Sequence, residues 1–543
     1  MVAVVEVRKG TKSFEEAVTL AGYGKYNLYV LLATGCALMC VIIETMNAMF
    51  ITPAAQCDLE LSLSDQGLLY SISFFGVVAG SHLWGYLGDT KGRRKIVLFS
   101  LVSSAAVSYI GSIIAITWLF ILLRFINGIL IGGSSAIIYA FAGEFHDNYY
   151  RPKVVSYIAT FVAIGNMYLP GMAWLILPQQ WEYYISFLDI NFRPWRLLMI
   201  VYATPSLISA LLIYLLPESP KYLLVRGENE EVMRILQNIY RINTGKDRTQ
   251  FPVGSLTSDE SVEGLKHEKN ECMLSSMWQQ TAPLFRKGYL LKTAMVCYLH
   301  FAIFLSTSAI IMWYPQILNS MSDYGQVVPS NEVTMCTAIL YDEADYKNDI
   351  PEVGVGSGIV RSITSQICID TVNEEVFLVS LIIGFVYAVS YIFIGTFINT
   401  FGPRRLLIGL MTFTTISGVI AQHLSGHTYI QVALGVFLVA ATGVGIVNAI
   451  VVELYPTQIR GMALAVSLCV GRFGAMTGSN IAGPLMLYLC DYMFYVFAAS
   501  HLVVIIMVFL LPKKKPDVPK IDTVDVEKTV TNNNTDAECS QQK

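Results

Sequence analysis

Charge is scarce in this chain. Only 14% of its 543 residues are Asp, Glu, Lys or Arg, against 54% hydrophobic. A soluble domain carries about 25% charge, so this chain cannot cover its apolar surface in water. Metal and cofactor signals are missing as well. The ten cysteines are scattered, with no CxxC spacing and no Cys/His cluster, so no metal site and no cofactor are expected. No Walker motif is present, which argues against ATP as the energy source. The net charge of −4 comes with no compact basic patch interleaved with aromatics, and nucleic acid is not an expected partner. The first 25 residues lack the apolar core and cleavage site of a signal peptide. No nucleophile–base pair is visible, so an enzyme is not expected.

What the chain has is long apolar runs. Runs of about 20 residues are the length of a membrane-spanning helix. Twelve spans are expected, near 27–52, 67–86, 96–117, 119–143, 153–177, 196–216, 290–314, 376–398, 405–424, 429–452, 460–487 and 492–511. The fold class is all-α: a polytopic membrane protein with twelve transmembrane helices in two six-helix pseudo-symmetric bundles. The expected organisation is an N-terminal tail (1–26), an N-terminal bundle (27–216), a linker with an amphipathic helix (217–288), a C-terminal bundle (289–511) with a long loop at 320–375, and a disordered tail (512–543). Lys91, Arg93, Arg94, Lys95, Arg151, Lys153, Arg404, Arg405, Arg460 and Lys513 to Lys515 all fall on one side of the spans. That side is expected to be cytosolic, with both termini on it. Arg193 and Arg196, before span six, are the exceptions.

Two motifs repeat. Gly85-Tyr86-Leu87-Gly88-Asp89-Thr90-Lys91-Gly92-Arg93-Arg94-Lys95 follows span two, and a weaker copy runs from Gly395 to Arg405. Gly85 and Gly395, Gly92 and Gly402, and Arg94 and Arg404 are each 310 residues apart. Glu144 to Arg151 after span four matches Glu453 to Arg460 after span ten at a separation of 309. A duplication with an inserted middle explains both. In the first motif Gly85 is expected to allow tight helix packing and Gly92 a sharp turn, with Asp89 pairing with Arg94. Glu144 with Arg151, and Glu453 with Arg460, would be companion latches. The other reading is topogenic: the basic residues only anchor their loops. The copies are unequal, since Asn399 and Pro403 stand where Asp89 and Arg93 stand in the first, so charge-based gating is expected mainly in the first half.

Charged residues within spans are costly and mark function or structural pairing. Glu44 in span one reads either as a cation- or proton-binding carboxylate of a central cavity or as an interhelical hydrogen-bonding group. Arg472, about a dozen residues into span eleven, is too deep to snorkel and reads as a cavity residue or as a fixed partner of Glu44. Arg124, in Arg124-x3-Gly128-x3-Gly132, lines the cavity or packs the helices. His300 and Asn448 are either ligands or interhelical donors. Tyr298 and Tyr387 are either part of an aromatic wall or lipid-facing.

Between the halves, Val232, Ile235, Leu236 and Ile239 recur at helical spacing among charges, an amphipathic helix. The polar stretch from Thr244 to Asn270 is expected to be mobile. The loop at 320–375 carries Cys336 and Cys368, expected to bridge each other if the loop faces an oxidising side; two free thiols are the alternative.

Twelve spans split six and six, with the G-x-L-x-D-x-x-G-R-R/K pattern after span two, resemble the major facilitator superfamily. Pro194-Trp195-Arg196, Leu216-Pro217-Glu218-Ser219-Pro220-Lys221-Tyr222, Glu44 to Cys57 and Arg472-Phe473-Gly474 are similar to the branch holding synaptic vesicle glycoprotein 2 and the organic cation and anion transporters. The resemblance implies that Asp89 also faces the N-terminal end of span eleven, and that Arg472 meets a substrate's negative charge. Relatives among vesicle proteins often carry an Asp where this chain has Val41. The implied function is secondary transport of a small organic ion or metabolite by alternating access, with a proton as candidate coupling ion. The alternative is a non-transporting vesicle protein with a trafficking or receptor role. The expected setting is the lipid bilayer of the plasma membrane or a vesicle, as a monomer.

Overall fold

In the computed structural model, residues 10–179, 181–187, 189–256, 281–286, 288–325, 333–340, 372–455 and 457–512 are described. The chain opens with a short strand, β1 (Gly10–Lys12), and helix α1 (Phe14–Ala21), whose first turn is capped by the Ser13 hydroxyl accepting from the Glu16 amide. The first span is α2 (Lys25–Met46) running on into α3 (Ala48–Ala55). Then come α4 (Leu63–Lys91), α5 (Arg93–Gly111), α6 (Thr117–Gly143) and α7 (Arg151–Ile176). A hairpin of β2 (Tyr183–Ile185) and β3 (Ile190–Phe192) leads to α8 (Pro194–Tyr214).

The middle segment holds α9 (Pro220–Arg226), α10 (Asn229–Thr244) and β4 (Val253–Leu256). The second half contains α11 (Leu290–Gly325), the short α12 (Met335–Ile339), α13 (Glu374–Phe401) and α14 (Pro403–His423). It ends with α15 (His427–Leu438), α16 (Gly443–Leu454), α17 (Thr457–Tyr488) and α18 (Met493–Leu510). Eleven stretches of described helix are long and apolar enough to cross a membrane, and Leu63–Ser81 with Leu83–Lys91, bent by 46°, makes a twelfth. Antiparallel succession places the basic motifs at one end of the bundle, hereafter the basic end.

The amphipathic helix is α10: Val232, Ile235, Leu236, Ile239 and Tyr240 are its buried face. Two expectations about its surroundings are corrected. The expected N-terminal tail (1–26) carries packed structure from Gly10 on, because α1 buries Phe14, Ala17, Val18 and Ala21 against α10, and β1 pairs in parallel with β4. The stretch after Thr244 is ordered as far as Leu256, because Phe251 and Val253 are buried in the same core. Asn243 ties the pieces together. Its Oδ1 accepts from the Tyr26 amide, and its Nδ2 donates to the Gly22 carbonyl and to Asn27 Oδ1. Residues 257–270 lie outside the described residues.

At the opposite end, Arg193 and Arg196 are neutralised rather than exposed as topogenic charges. Arg196, 1% exposed, reaches Asp58 at 2.7 Å and donates to the Ser112 and Ile114 carbonyls, which close the end of α5. Trp195 Nε1 donates to the same carboxylate at 3.1 Å, and Arg193 pairs with Glu182. The expected Cys336–Cys368 bridge is also corrected. Cys336 on α12 is bonded to Cys490 in the turn between α17 and α18, with Cα atoms 5.7 Å apart. The reason is packing: buried Met335 and Ala338 seat α12 on the bundle, which presents Cys336 to the α17–α18 corner. Cys368 lies outside the described residues.

The two halves meet at this disulfide end. Trp313 stacks edge-on against Tyr70 with centroids 5.0 Å apart, and Asn480 Nδ2 donates to Ser71 Oγ at 2.6 Å. A Cβ on Gly384 would lie 3.0 Å from Met167, so α13 and α7 are in close contact.

Candidate functional site

The basic end is organised by Gly92. Its φ of +107° belongs to glycine, and a Cβ there would lie 2.5 Å from Glu218 Oε2. This turn sets Arg93 and Arg94 at the start of α5. Arg93 pairs with Asp89 at 3.2 Å, four residues back across the turn, and with Glu144. The Arg94 amide, an unsatisfied donor at a helix start, gives its proton to Glu218 Oε1 at 2.8 Å. Its guanidinium points the other way, to the Ile213 and Tyr214 carbonyls ending α8, where a cation is favoured. Glu144 also accepts from Ser219, whose hydroxyl caps α9. Lys221 sits beside this cluster; burial first, then the nearby charges of Arg151 and Arg93, push its ammonium below the usual lysine range.

Several expectations are corrected here. Asp89 pairs with Arg93, not Arg94, because Arg94 is drawn to the carbonyls ending α8. Glu144 pairs with Arg93, not Arg151. Arg151 is instead held by Glu15 of α1 at 3.0 Å and by the Gly143 and His146 carbonyls. Gly85 does not pack tightly, since a Cβ there would meet nothing within 4 Å, and the same is true of Gly395. Gly402 repeats the left-handed turn of Gly92 with φ +80°, and Arg404 donates to the Leu511 carbonyl at 2.8 Å, ending α18 as Arg94 ends α8. Glu453 is exposed, and the side chain of Arg460 lies outside the described residues. The partners described for Asp89, Arg93, Arg94, Glu144 and Arg151 all belong to the N-terminal half and its appendages. Gly92→Ala is expected to cost about 1–3 kcal/mol through the backbone strain alone, read as a lowered unfolding temperature of the purified protein. Gly85→Ala is the control: inside α4, with open space for a Cβ, it should not lower it.

The seven candidate substrate residues separate into distinct places. Glu44 is fully buried inside the N-terminal half. Its Oε2 accepts from Ser108 at 2.8 Å and Asn127 at 3.3 Å and lies 3.9 Å from Arg124 Nη1. Arg124 Nη2 donates to the Glu44 carbonyl at 2.8 Å and to Asn47. Glu44 is therefore not paired with Arg472. Glu44 Oε1 and Arg124 Nη1 are buried with no hydrogen-bond partner among the described residues.

Arg472 projects from α17 across to the other half, where its Nη2 donates to Ser135 Oγ on α6 at 2.7 Å. Tyr139 lies within electrostatic reach of it. His300 Nε2 and Asn448 Oδ1 are 3.1 Å apart within the C-terminal half. The Tyr387 hydroxyl is spent on the Leu438 carbonyl at 3.0 Å, and its ring shares a cavity at the disulfide end with Asn166 and Ser380. Tyr298 is half-buried against the core of its own half. Ser135 and Tyr139 were not singled out from the sequence because a serine and a tyrosine on an apolar helix carry no pattern. Glu218 and Ser219 stood in a recognised motif but with no role attached.

The chain matches the family model described as Major Facilitator Superfamily over residues 34–339 and 356–533. Synaptic vesicle glycoprotein 2B of Mus musculus is 27% identical over 326 residues, which cover 57% of this chain and 48% of that protein. Synaptic vesicle glycoprotein 2A of Rattus norvegicus is 27% identical over 348 residues, 60% of this chain and 47% of that one. The match thus spans about half the length of these curated relatives. Among solved structures, the partially occluded inward-open xylose transporter XylE from E. coli superposes with a TM-score of 0.60 at 15% identity, covering 90% of this chain and 100% of that one. The nucleoside transporter NupG gives 0.56 at 13% identity, covering 90% and 100%.

Proposed function

This chain belongs to the major facilitator superfamily, and from that membership we propose that it is a secondary transporter moving a small organic ion across a membrane by alternating access. The observation that carries this reading is Arg472. Its guanidinium lies on the seam of the two halves, half-buried and bonded to the opposite half, with no acid paired to it among the described residues. A cation left uncompensated at such a place favours an anionic substrate or an anionic group on one. Coupling falls to Glu44, a buried carboxylate with one unoccupied oxygen beside Arg124, which suits a proton. The basic end faces the cytosol in this reading, with both termini there.

The halves touch at the disulfide end, and the basic-end motifs bond within their own half, as suits an inward-facing conformation. Asp89, 71% exposed, and the uncovered faces of Gly85 and Gly395 are then the surfaces that meet when the basic end closes. Asp89→Asn is expected to change stability by less than about 1 kcal/mol, as for an exposed ion pair, yet to bias the protein further inward-facing. Thiol labelling of Cys469, free and half-buried, measures the bias; an unchanged labelling rate leaves the motif only a topogenic role.

Uptake into proteoliposomes from a panel of organic anions, cations and neutral metabolites tests the main reading. Uptake confined to cations would overturn the role given to Arg472. Folded protein that moves nothing across the panel would favour the second reading, a non-transporting vesicle protein, which similarity to the synaptic vesicle glycoproteins and Val41 in place of an acid support.

A further inference from the structure

A second opening lies on the same seam but outside the path just described. It is a groove between α4 and α17, walled by Leu68, Ile72 and Phe75 from one half and Met476 and Ile481 from the other. Its volume is about 470 Å³, within the range of about 300–1,000 Å³ typical of small-ligand sites. Its depth can be read from both helices. Leu68 to Phe75 begin about 8 Å and end about 18 Å below the start of α4, and Ile481 to Met476 lie about 10–18 Å below the end of α17, at ~1.5 Å per residue. Both walls therefore sit in the hydrocarbon of the leaflet at the disulfide end, given a core of about 30 Å.

The groove is open to that hydrocarbon, since Leu68, Phe75 and Ile481 are 38%, 39% and 41% exposed. Its side-chain donors are already spent, the Ser71 hydroxyl on the Leu68 carbonyl and the Thr477 hydroxyl on the Phe473 carbonyl. Asn480 Nδ2 gives one proton to Ser71 Oγ at 2.6 Å and the other to the Met476 carbonyl at 2.8 Å. No side-chain donor is left over for an occupant, and apart from the amide oxygen of Asn480 the walls offer mainly apolar volume.

We propose that this groove is a binding site for one acyl chain of a phospholipid from the leaflet at the disulfide end. Because its walls come from both halves, the site exists as a groove only while that end of the seam is closed. An acyl chain lodged in it binds this conformation and not one with the seam parted, and so stabilises it. This conformational consequence rests on the alternating-access reading; the site itself does not.

The test uses the full chain in nanodiscs made with a phosphatidylcholine carrying a diazirine in mid-chain, with cross-links mapped by peptide mass spectrometry. No substrate or transport is needed, so failure of the transport reading leaves this result intact. Ile382 on α13 and Leu502 on α18 are exposed at matching depth and report ordinary lipid contact. Cross-links on 68–75 and 476–481 are expected at several-fold over those controls. Ile72→Trp and Thr477→Phe each fill the groove from one wall and should reduce groove labelling to the control level. Equal labelling of groove and controls in the unmodified chain would overturn the proposal, whatever the variants do. So would groove labelling that persists undiminished in a filled variant of normal size-exclusion profile.

Discussion

Arg124→Ala is expected to be among the most destabilising single changes in the chain, at about 3–5 kcal/mol. The substitution removes the cation from a site that holds the Glu44 carboxylate, the Glu44 carbonyl and the Asn47 side chain, all buried. Protonation of Glu44 relieves part of the cost, but the carbonyl and the Asn47 oxygen still lose their donor. Glu44→Gln is the contrasting change. A glutamine still accepts from Ser108 and Asn127, so the loss should stay near 1 kcal/mol, and the double change Glu44→Gln with Arg124→Leu should recover part of the single loss because no lone charge remains. Thermal unfolding of the three variants measures the order. Arg124→Ala indistinguishable from the unmodified chain would mean that the pair is not structural. Under the transport reading Glu44→Gln also uncouples: gradient-driven uptake stops while substrate exchange continues.

Arg472→Ala should show the reverse profile. It removes one described hydrogen bond, to Ser135, so folding should be nearly unaffected. Uptake should fall by about 10–100-fold, the worth of a hydrogen bond to a charged group at ~1.5–3 kcal/mol. Arg472→Lys should recover only part, since an ammonium offers no planar fork to an anionic group. Radiotracer uptake at matched protein content decides it; normal uptake by Arg472→Ala would remove this residue from the substrate path. The two arginines thus separate by readout, one moving stability and the other transport.

The architecture was legible in the chain because spans are written in runs of apolar residues, and the duplication in two motifs at near-equal separation. Gly92 could be read as a turn because only glycine tolerates the φ it adopts. The amphipathic face of α10 followed from the spacing of Val232, Ile235, Leu236 and Ile239. Partnerships were less legible. Arg93 and Arg94 are neighbours of one charge, and nothing in their order says that one turns toward Glu144 and the other toward the end of α8. Glu44 and Arg124 were both visible as costly charges, but Arg472 competed as a partner until the helices were placed. The bridge of Cys336 to Cys490, separated by 154 residues, depends on where α12 settles, and a cysteine carries no mark of its mate. Arg196 looked like an exception to the charge rule; its explanation, Asp58, lies 138 residues away.

The clasp formed by β1 and α1 has a consequence for how the chain is made. Thr11 and Ser255, joined by hydroxyl contact across β1 and β4, are 244 residues apart. At about 5–20 residues per second of synthesis, the opening segment waits on the order of 10–50 s before its partner strand leaves the ribosome. Throughout that interval Phe14, Val18 and the unpaired edge of β1 have nowhere native to go, while the six helices between are being threaded into the bilayer. The first described residues to emerge are thus among the last in their half to be seated, and a chain halted before residue 229 leaves them exposed.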